Sequence, residues 1–318
     1  MNVTDPYPQS KFAIDGQDIL LSGLVNSASF AVEMVGLGLL LEETYNYDND
    51  GQASIRGIAD LMSKSLYGGL TTGKQDNARR IARFYFDDVC YYVRTIYASR
   101  FKNPHDPNGQ KYVMAVATHK SCHPGHPFYV TVIGQHEVVL YNTAGEALAT
   151  VTAGASAMEG GAVYTSDYDP ALLFPDHYRR AAYLTIRNDM RVDILPITCQ
   201  DAIDVRFLNR YDVMESVTAA YITEKPTTQD DVSLMGGNRT RFSVKSTTEY
   251  VLHSGKLNCQ EEFDTWQDLL TSRKAQVLMH GQWQDIIITK SNYTRHRRQF
   301  YDSQIELSFQ TTNPYMLL

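Results

Sequence analysis

Through much of this chain apolar and polar positions alternate with a period of two, the repeat that sends successive side chains to opposite faces of a strand. Ser29–Val35 (SFAVEMV) alternates as a half-buried strand, and Gly36 and Gly38 punctuate its end. Leu39–Tyr47 follows. Asp48-Asn49-Asp50-Gly51 then carries an Asp-Gly dipeptide that favours a hairpin reversal into Ser54–Ile58. Ile58–Leu66 is expected to form one or two helical turns. Residues 67–78 (YGGLTTGKQDNA) show no periodicity and mark a first boundary.

Farther along, RFYFDDVCYYVRTIYAS (83–99) is dense in β-branched and aromatic residues, which argues strand, with a helix as the alternative over Asp88–Ala98. Lys102–Gln110 is a turn or tip. Strands are expected at Lys111–Thr118, Pro127–Ile133, Glu137–Asn142 and Glu146–Thr152, spaced about ten residues apart as in a β-sandwich or barrel. Ala181–Arg187 and Arg191–Ile197 flank a turn at Asn188-Asp189. Beyond Asp201, strands are expected at Thr240–Val251, Ala275–His280, Trp283–Lys290 and Ser303–Thr311. Residues 224–239 (EKPTTQDDVSLMGGNR) read as a polar, mobile loop. Only Gln260–Thr271 breaks the β rhythm: Phe263, Trp266, Leu269 and Leu270 make one apolar stripe on a short helix opened by acids. The fold class is therefore mainly β, several β-sandwich or barrel-like modules with one or two short helices. Three modules are expected, at 1–75, 76–200 and 201–318, the last with helix 260–271 packed on its sheet and its central Ile286-Ile287-Ile288 covered on both faces.

Composition narrows the functions open to such a chain. Its 318 residues exceed the usual single-domain length, and 43% hydrophobic with 20% charged residues is ordinary globular composition. A net charge of −7 makes it a poor non-specific nucleic-acid binder, because phosphates must be neutralised. Tyrosine is abundant, 21 residues against 12 Phe and 2 Trp, and suits contact surfaces where a ring packs while its hydroxyl stays wet. Cys90, Cys122, Cys199 and Cys259 are scattered with no CxxC pair, and are expected as buried or half-buried thiols of a reducing cytosol. The N-terminal stretch does not have the pattern of a signal peptide, and the longest apolar tract, Met34–Leu41, is too short for a bilayer span.

Candidate chemistry is sparse. His119, Cys122, His123 and His126 fall within eight residues and are the weak metal candidates, but structural zinc draws on a second, separated knuckle and the sequence holds none; an ordinary surface turn is the favoured reading, with no metal. Asp48–Gly51 opens like an EF-hand loop but has Ala59 where the twelfth-position Glu belongs. Gly68–Lys74 has P-loop spacing, yet Gln75 replaces the hydroxyl that holds magnesium. No catalytic residue, nucleophile elbow or cofactor fingerprint emerges. The basic run at Arg295, Arg297 and Arg298 is the interface candidate, with a solvated loop as the plain alternative.

Three stretches carry a family resemblance: Phe30–Ile58 with its Leu-Leu-Glu-Glu-Thr-Tyr and Asp-x-Asp-Gly turn; Val205-Arg206-Phe207-Leu208-Asn209-Arg210-Tyr211-Asp212; and the terminal unit of helix 263–270, the hairpin at Gly281-Gln282-Trp283 and Ile305–Phe309. Together they resemble β-rich tail or baseplate virion proteins of phages and prophages of Bacteroidetes. The resemblance implies a structural assembly protein, made in the bacterial cytoplasm and built into the virion, that is no enzyme and needs no cofactor. Its implied partners are other virion or tail proteins and copies of itself in a ring, with neither nucleic acid nor membrane insertion. A carbohydrate- or receptor-binding protein that meets a host-surface glycan is the alternative, and a glycan hydrolase the more remote one.

Overall fold

The computed structural model describes residues 2–8, 11–23, 27–106, 109–154, 161–195, 201–235, 238–257, 259–294 and 304–312, with backbone alone over 227–247 and 293–294. The chain is mainly β, as its period-two pattern predicts. In order, the first part contains β1 (Asn2–Val3), β2 (Ile19–Ser22), β3 (Ala28–Met34), β4 (Gly38–Tyr45), β5 (Gln52–Ile55), helix α1 (Ile58–Ser65), β6 (Gly73–Lys74), β7 (Arg79–Phe86) and β8 (Val89–Tyr97). β1-β2-β5 form a small sheet, and β4-β3-β7-β8 an antiparallel one. Strict alternation in β3 buries Ala28, Phe30, Val32 and Met34 against Phe84, Phe86 and Met62.

The aromatic run is two strands. Asp87 (φ 46°) and Asp88 (φ 63°) turn in the left-handed region that short polar side chains tolerate, closing a β7–β8 hairpin, so neither a helix nor a continuous strand survives there. Asp48–Gly51 does turn, with Asp48 Oδ1 accepting from Asp50 N and Gln52 N. It closes no hairpin, because β4 pairs with β3 while β5 pairs with β2.

The central part holds β9 (His119–Cys122), β10 (Tyr129–Ile133), β11 (Gln135–Tyr141), β12 (Ala147–Gly154), β13 (Val163–Asp167), helix α2 (Pro170–Leu173), β14 (Tyr183–Ile186) and β15 (Met190–Ile194). β12-β11-β14-β15-β9 make one sheet, its last pair parallel, and β10-β13-β6 another. The strand expected at 111–118 is absent, for a clear physical reason. Val113–Ala117 are wholly buried, and side chains satisfy much of their backbone. Asn209 Nδ2 donates to Met114 O, Asn103 Nδ2 to the carbonyls of Ala115 and Val116, and Val116 N to Glu215 Oε2.

The last part comprises β16 (Ile203–Leu208), β17 (Met214–Ala219), β18 (Tyr221–Met235), β19 (Asn238–His253), helix α3 (Gln260–Leu270), β20 (Ala275–Met279), β21 (Gln282–Thr294) and β22 (Gln304–Thr311). One seven-stranded sheet, β17-β16-β20-β21-β22-β19-β18, curls as a half-barrel, with α3 packed on it. Phe263, Trp266 and Leu269 are buried among Val205, Phe207, Val277, Leu307 and Phe309, as the helical stripe predicts. Ile287 is 59% exposed, so Ile286-Ile287-Ile288 alternate instead of being covered on both faces. Of the loop expected at 224–239, residues 224–235 and 238–239 are instead the far end of a ribbon, with β18 paired to β19 from Tyr221↔His253 out to Met235↔Asn238, and 236–237 lie outside the described residues. Its polar side chains suggested a loop, yet ladder hydrogen bonds are made by the backbone and do not require apolar side chains. Cys90 is exposed and Cys259 half-buried, so the expectation of sheltered thiols fails at Cys90; Cys199 lies outside the described residues.

Candidate functional site

The histidine cluster straddles a buried strand and a turn. His119 and Cys122 lie on β9, where the pattern alternates half-buried and buried, and only residues 123–126 turn, with His126 N donating to His123 O. Each ring then finds a different acid: His119 Nε2 lies 2.7 Å from Asp193 Oδ2, and His126 Nδ1 lies 3.0 Å from Asp204 Oδ2. Burial pushes the Cys122 thiol far up, which leaves it an inert thiol in an apolar core. Among the described residues, no three His, Cys, Asp or Glu side chains converge to hold a metal ion. Gly73 and Lys74 pair with Thr165 and Tyr164 in a sheet, so the P-loop-like spacing does not open onto a helix.

Around this strand runs a polar seam joining the central sheets to the half-barrel, which the sequence reading missed. Lys120 Nζ, buried, donates to Glu215 Oε1 and to Ser216 O, both at 2.9 Å, and lies 5.1 Å from the centre of the Phe128 ring. Glu215 Oε2 also accepts from Asn209 Nδ2 at 2.7 Å. From the first turn of α3, Glu261 accepts from the Thr118 and His119 amides and the Thr118 hydroxyl. Burial works to raise the Glu261 carboxyl, and these donors outweigh it and hold it below the usual range. Asp204 goes the other way: burial dominates its His126 and Thr218 partners and raises it. Asp167, also raised by burial, accepts from the amides of Phe128 and Asp169. These acids hold backbone and rings in place. The acid-rich opening of α3 was a local signal for the seam, but the ties that define it, Lys120 to Glu215 and Thr118 to Glu261, join residues 95 and 143 apart in sequence.

The Asn209–Asp212 turn between β16 and β17, at the end of the Val205–Asp212 motif, locks the seam. Asp212 (φ 56°) is fully buried, ion-paired to Arg273 and 3.4 Å from Arg100 Nε. Its carbonyl accepts from Gly68 N at 2.6 Å; a Cβ at position 68 would sit 2.8 Å from that oxygen, so the close approach requires glycine. Tyr211 leaves the half-barrel and enters the first core, its ring 5.0 Å from Phe12 and its hydroxyl accepting from Asn103 Nδ2. Arg210 N and Nε donate to Asp268 of α3.

Two further features leave the body of the fold. The β18–β19 ribbon is backed by β22 only between Tyr250 and His253; eleven pairs, from Lys225↔Glu249 outward, have no third strand among the described residues. A cavity of about 450 Å³ opens between β9, β17 and α3. Of the two tryptophans, Trp266 is 3% exposed, and Trp283 is half-buried, under the Arg206 guanidinium and beside Tyr129. Arg295, Arg297 and Arg298 lie outside the described residues.

No family model matches the chain, and no curated protein matches it. Among solved structures, a chain of the virion of a native gene transfer agent particle is 11% identical, covering 36% of this chain and 92% of its own length at a TM-score of 0.24. A chain of the tail of an empty gene transfer agent particle with C6 symmetry is 10% identical, covering 34% of this chain and 90% of its own at 0.23. Chains of phage-like particles are thus its weak, partial structural neighbours.

Proposed function

We propose that this chain is a structural component of a phage or prophage tail or baseplate, doing its work through protein–protein surfaces, with further copies of itself in a ring as its first partner. The observation that carries this is the ribbon. Two strands alone are at best marginally stable in water, and eleven unbacked pairs extend about 35 Å at ~3.3 Å per residue. Among the described residues both of its edges present backbone donors and acceptors with no third strand on them, the standard template for strand addition by another chain. The buried acids are committed to structural partners, which supports a surface role over a catalytic one.

The test replaces residues 226–248 by an Asn-Gly turn and measures solution mass by light scattering beside the wild type. The wild type is expected as a concentration-dependent oligomer and the shortened chain as a monomer with an unchanged thermal midpoint. A wild type that stays monomeric at high concentration, or a shortened chain that still oligomerises, overturns the reading.

A further inference from the structure

We infer that the cavity between β9, β17 and α3 is a binding site for an amphipathic anion, a molecule with an apolar body and one carboxylate or similar head group. The volume, about 450 Å³, falls in the range of small-molecule sites, about 300–1,000 Å³. Its walls are mostly apolar: Phe128, Val217, Leu257 and Trp266 surround it, with the half-buried Ala202 in the lining. Such walls exclude water from a chain or ring and give nothing to a wholly polar ligand.

The charges in the lining decide the head group. Lys120, the buried cation, is already spent on Glu215 and Ser216 O, so it presents a neutralised wall. Lys256 differs: it is exposed, lines the same cavity, and has neither hydrogen bond nor carboxylate partner among the described residues. His123 shares the lining with it. The cavity's carboxylate, Glu262, is buried on α3 and already has an interaction of its own. An anionic head therefore meets an unspent ammonium at the mouth while its apolar body fills the interior. A cationic head would meet Lys256 with like charge. Because the walls come from both sides of the seam, an occupant ties the central sheets to the half-barrel, and binding raises the stability of the whole chain. This inference goes beyond the assembly role and does not depend on it.

Decanoate and decylamine, each below its micellar concentration, are the probes, read by titration calorimetry and thermal midpoint on the full chain. Decanoate is expected to bind saturably and raise the midpoint, with decylamine at least ~10-fold weaker, a difference of about 1.4 kcal/mol. Lys256→Glu, on an exposed side chain, should erase or reverse that preference at an unchanged ligand-free midpoint. Ala202→Leu, which puts a larger side chain into the cavity lining, should remove binding of both; circular dichroism checks that this variant folds, and Ala202→Val replaces it if it does not. No saturable decanoate binding, equal affinity for the two probes, or indifference to both substitutions overturns the assignment.

Discussion

At the scale of single residues, the seam shows how burial and partners compete for one carboxyl. Asp268 sits on α3 facing Arg210, with Glu215 and Arg100 close enough to act on it. Burial outweighs the Arg210 contacts, and the Glu215 charge adds to it, so the carboxyl is pushed up to about 6. An acid raised in the folded state keeps its proton longer there than in the unfolded chain. Folding is therefore favoured by protonation, and that contribution is lost as pH rises from about 4 to about 6, by roughly 2 to 3 kcal/mol. Asp268→Asn keeps the shape and an acceptor for Arg210 while removing the titration. Urea unfolding across this window should show wild-type stability falling relative to the variant as pH rises, and then running parallel above about pH 7. A difference that stays constant from pH 4 to 7 would show that Asp268 titrates alike in the folded and unfolded chain. Lys120 and Glu215 illustrate the opposite balance, two buried charges that satisfy each other and would each be costly alone.

At the scale of elements, what the sequence made legible was local, and what it hid was pairing. The β3 alternation, the α3 stripe and the His280-Gly281 turn, with φ of 52° and 74°, all follow from spacing within a dozen residues. The 113–117 segment looks like a strand by composition. It makes a single bridge to β10, Val113↔Val132, because other backbone groups there are taken by the side chains of Asn103, Asn209 and Glu215, set by tertiary contact. The polar ribbon looks like a loop because period-two apolar marking appears only where one face is buried. The four clustered His and Cys residues were legible as a cluster, but their separate partners, Asp193 and Asp204, lie some 70 residues away. Where pattern and structure agree, the energetics can be stated. Trp266 is 3% exposed and reaches the β16, β20 and β22 core from α3, so Trp266→Ala leaves a ring-sized cavity and costs about 3–5 kcal/mol. Chemical denaturation should show that loss with little change in slope. A cost under about 1 kcal/mol would mean the helix does not carry the sheet's contact.

For the whole molecule, the cores are interlocked by the half-barrel's own turn. Tyr211 and Val213 belong to the core built on β3, β7 and α1, while Leu208 and Met214, on either side, pack with Leu70 and Tyr129. Arg100 and Arg273 hold Asp212 from two different parts of the chain, and Gly68 closes on its carbonyl. A chain of this length ordinarily unfolds in stages, but here the half-barrel cannot leave without opening the first core. The two tryptophans, Trp266 and Trp283, both lie in the half-barrel, whereas the far-ultraviolet circular dichroism reports strands throughout. Equilibrium unfolding in urea should therefore give coincident tryptophan-fluorescence and circular-dichroism transitions in the wild type. Tyr211→Ala withdraws a fully enclosed ring from the first core while leaving the half-barrel's own core, around Phe207 and Trp266, intact. Its expected effect is a separation of the two signals, with the circular-dichroism transition acquiring an earlier phase and the fluorescence midpoint moving less. Separated transitions in the wild type would mean that the turn merely touches the first core. Coincident transitions in Tyr211→Ala would place the coupling in the Lys120–Glu215 and Glu261 contacts, and the corresponding Lys120→Met variant would then be the one to split them.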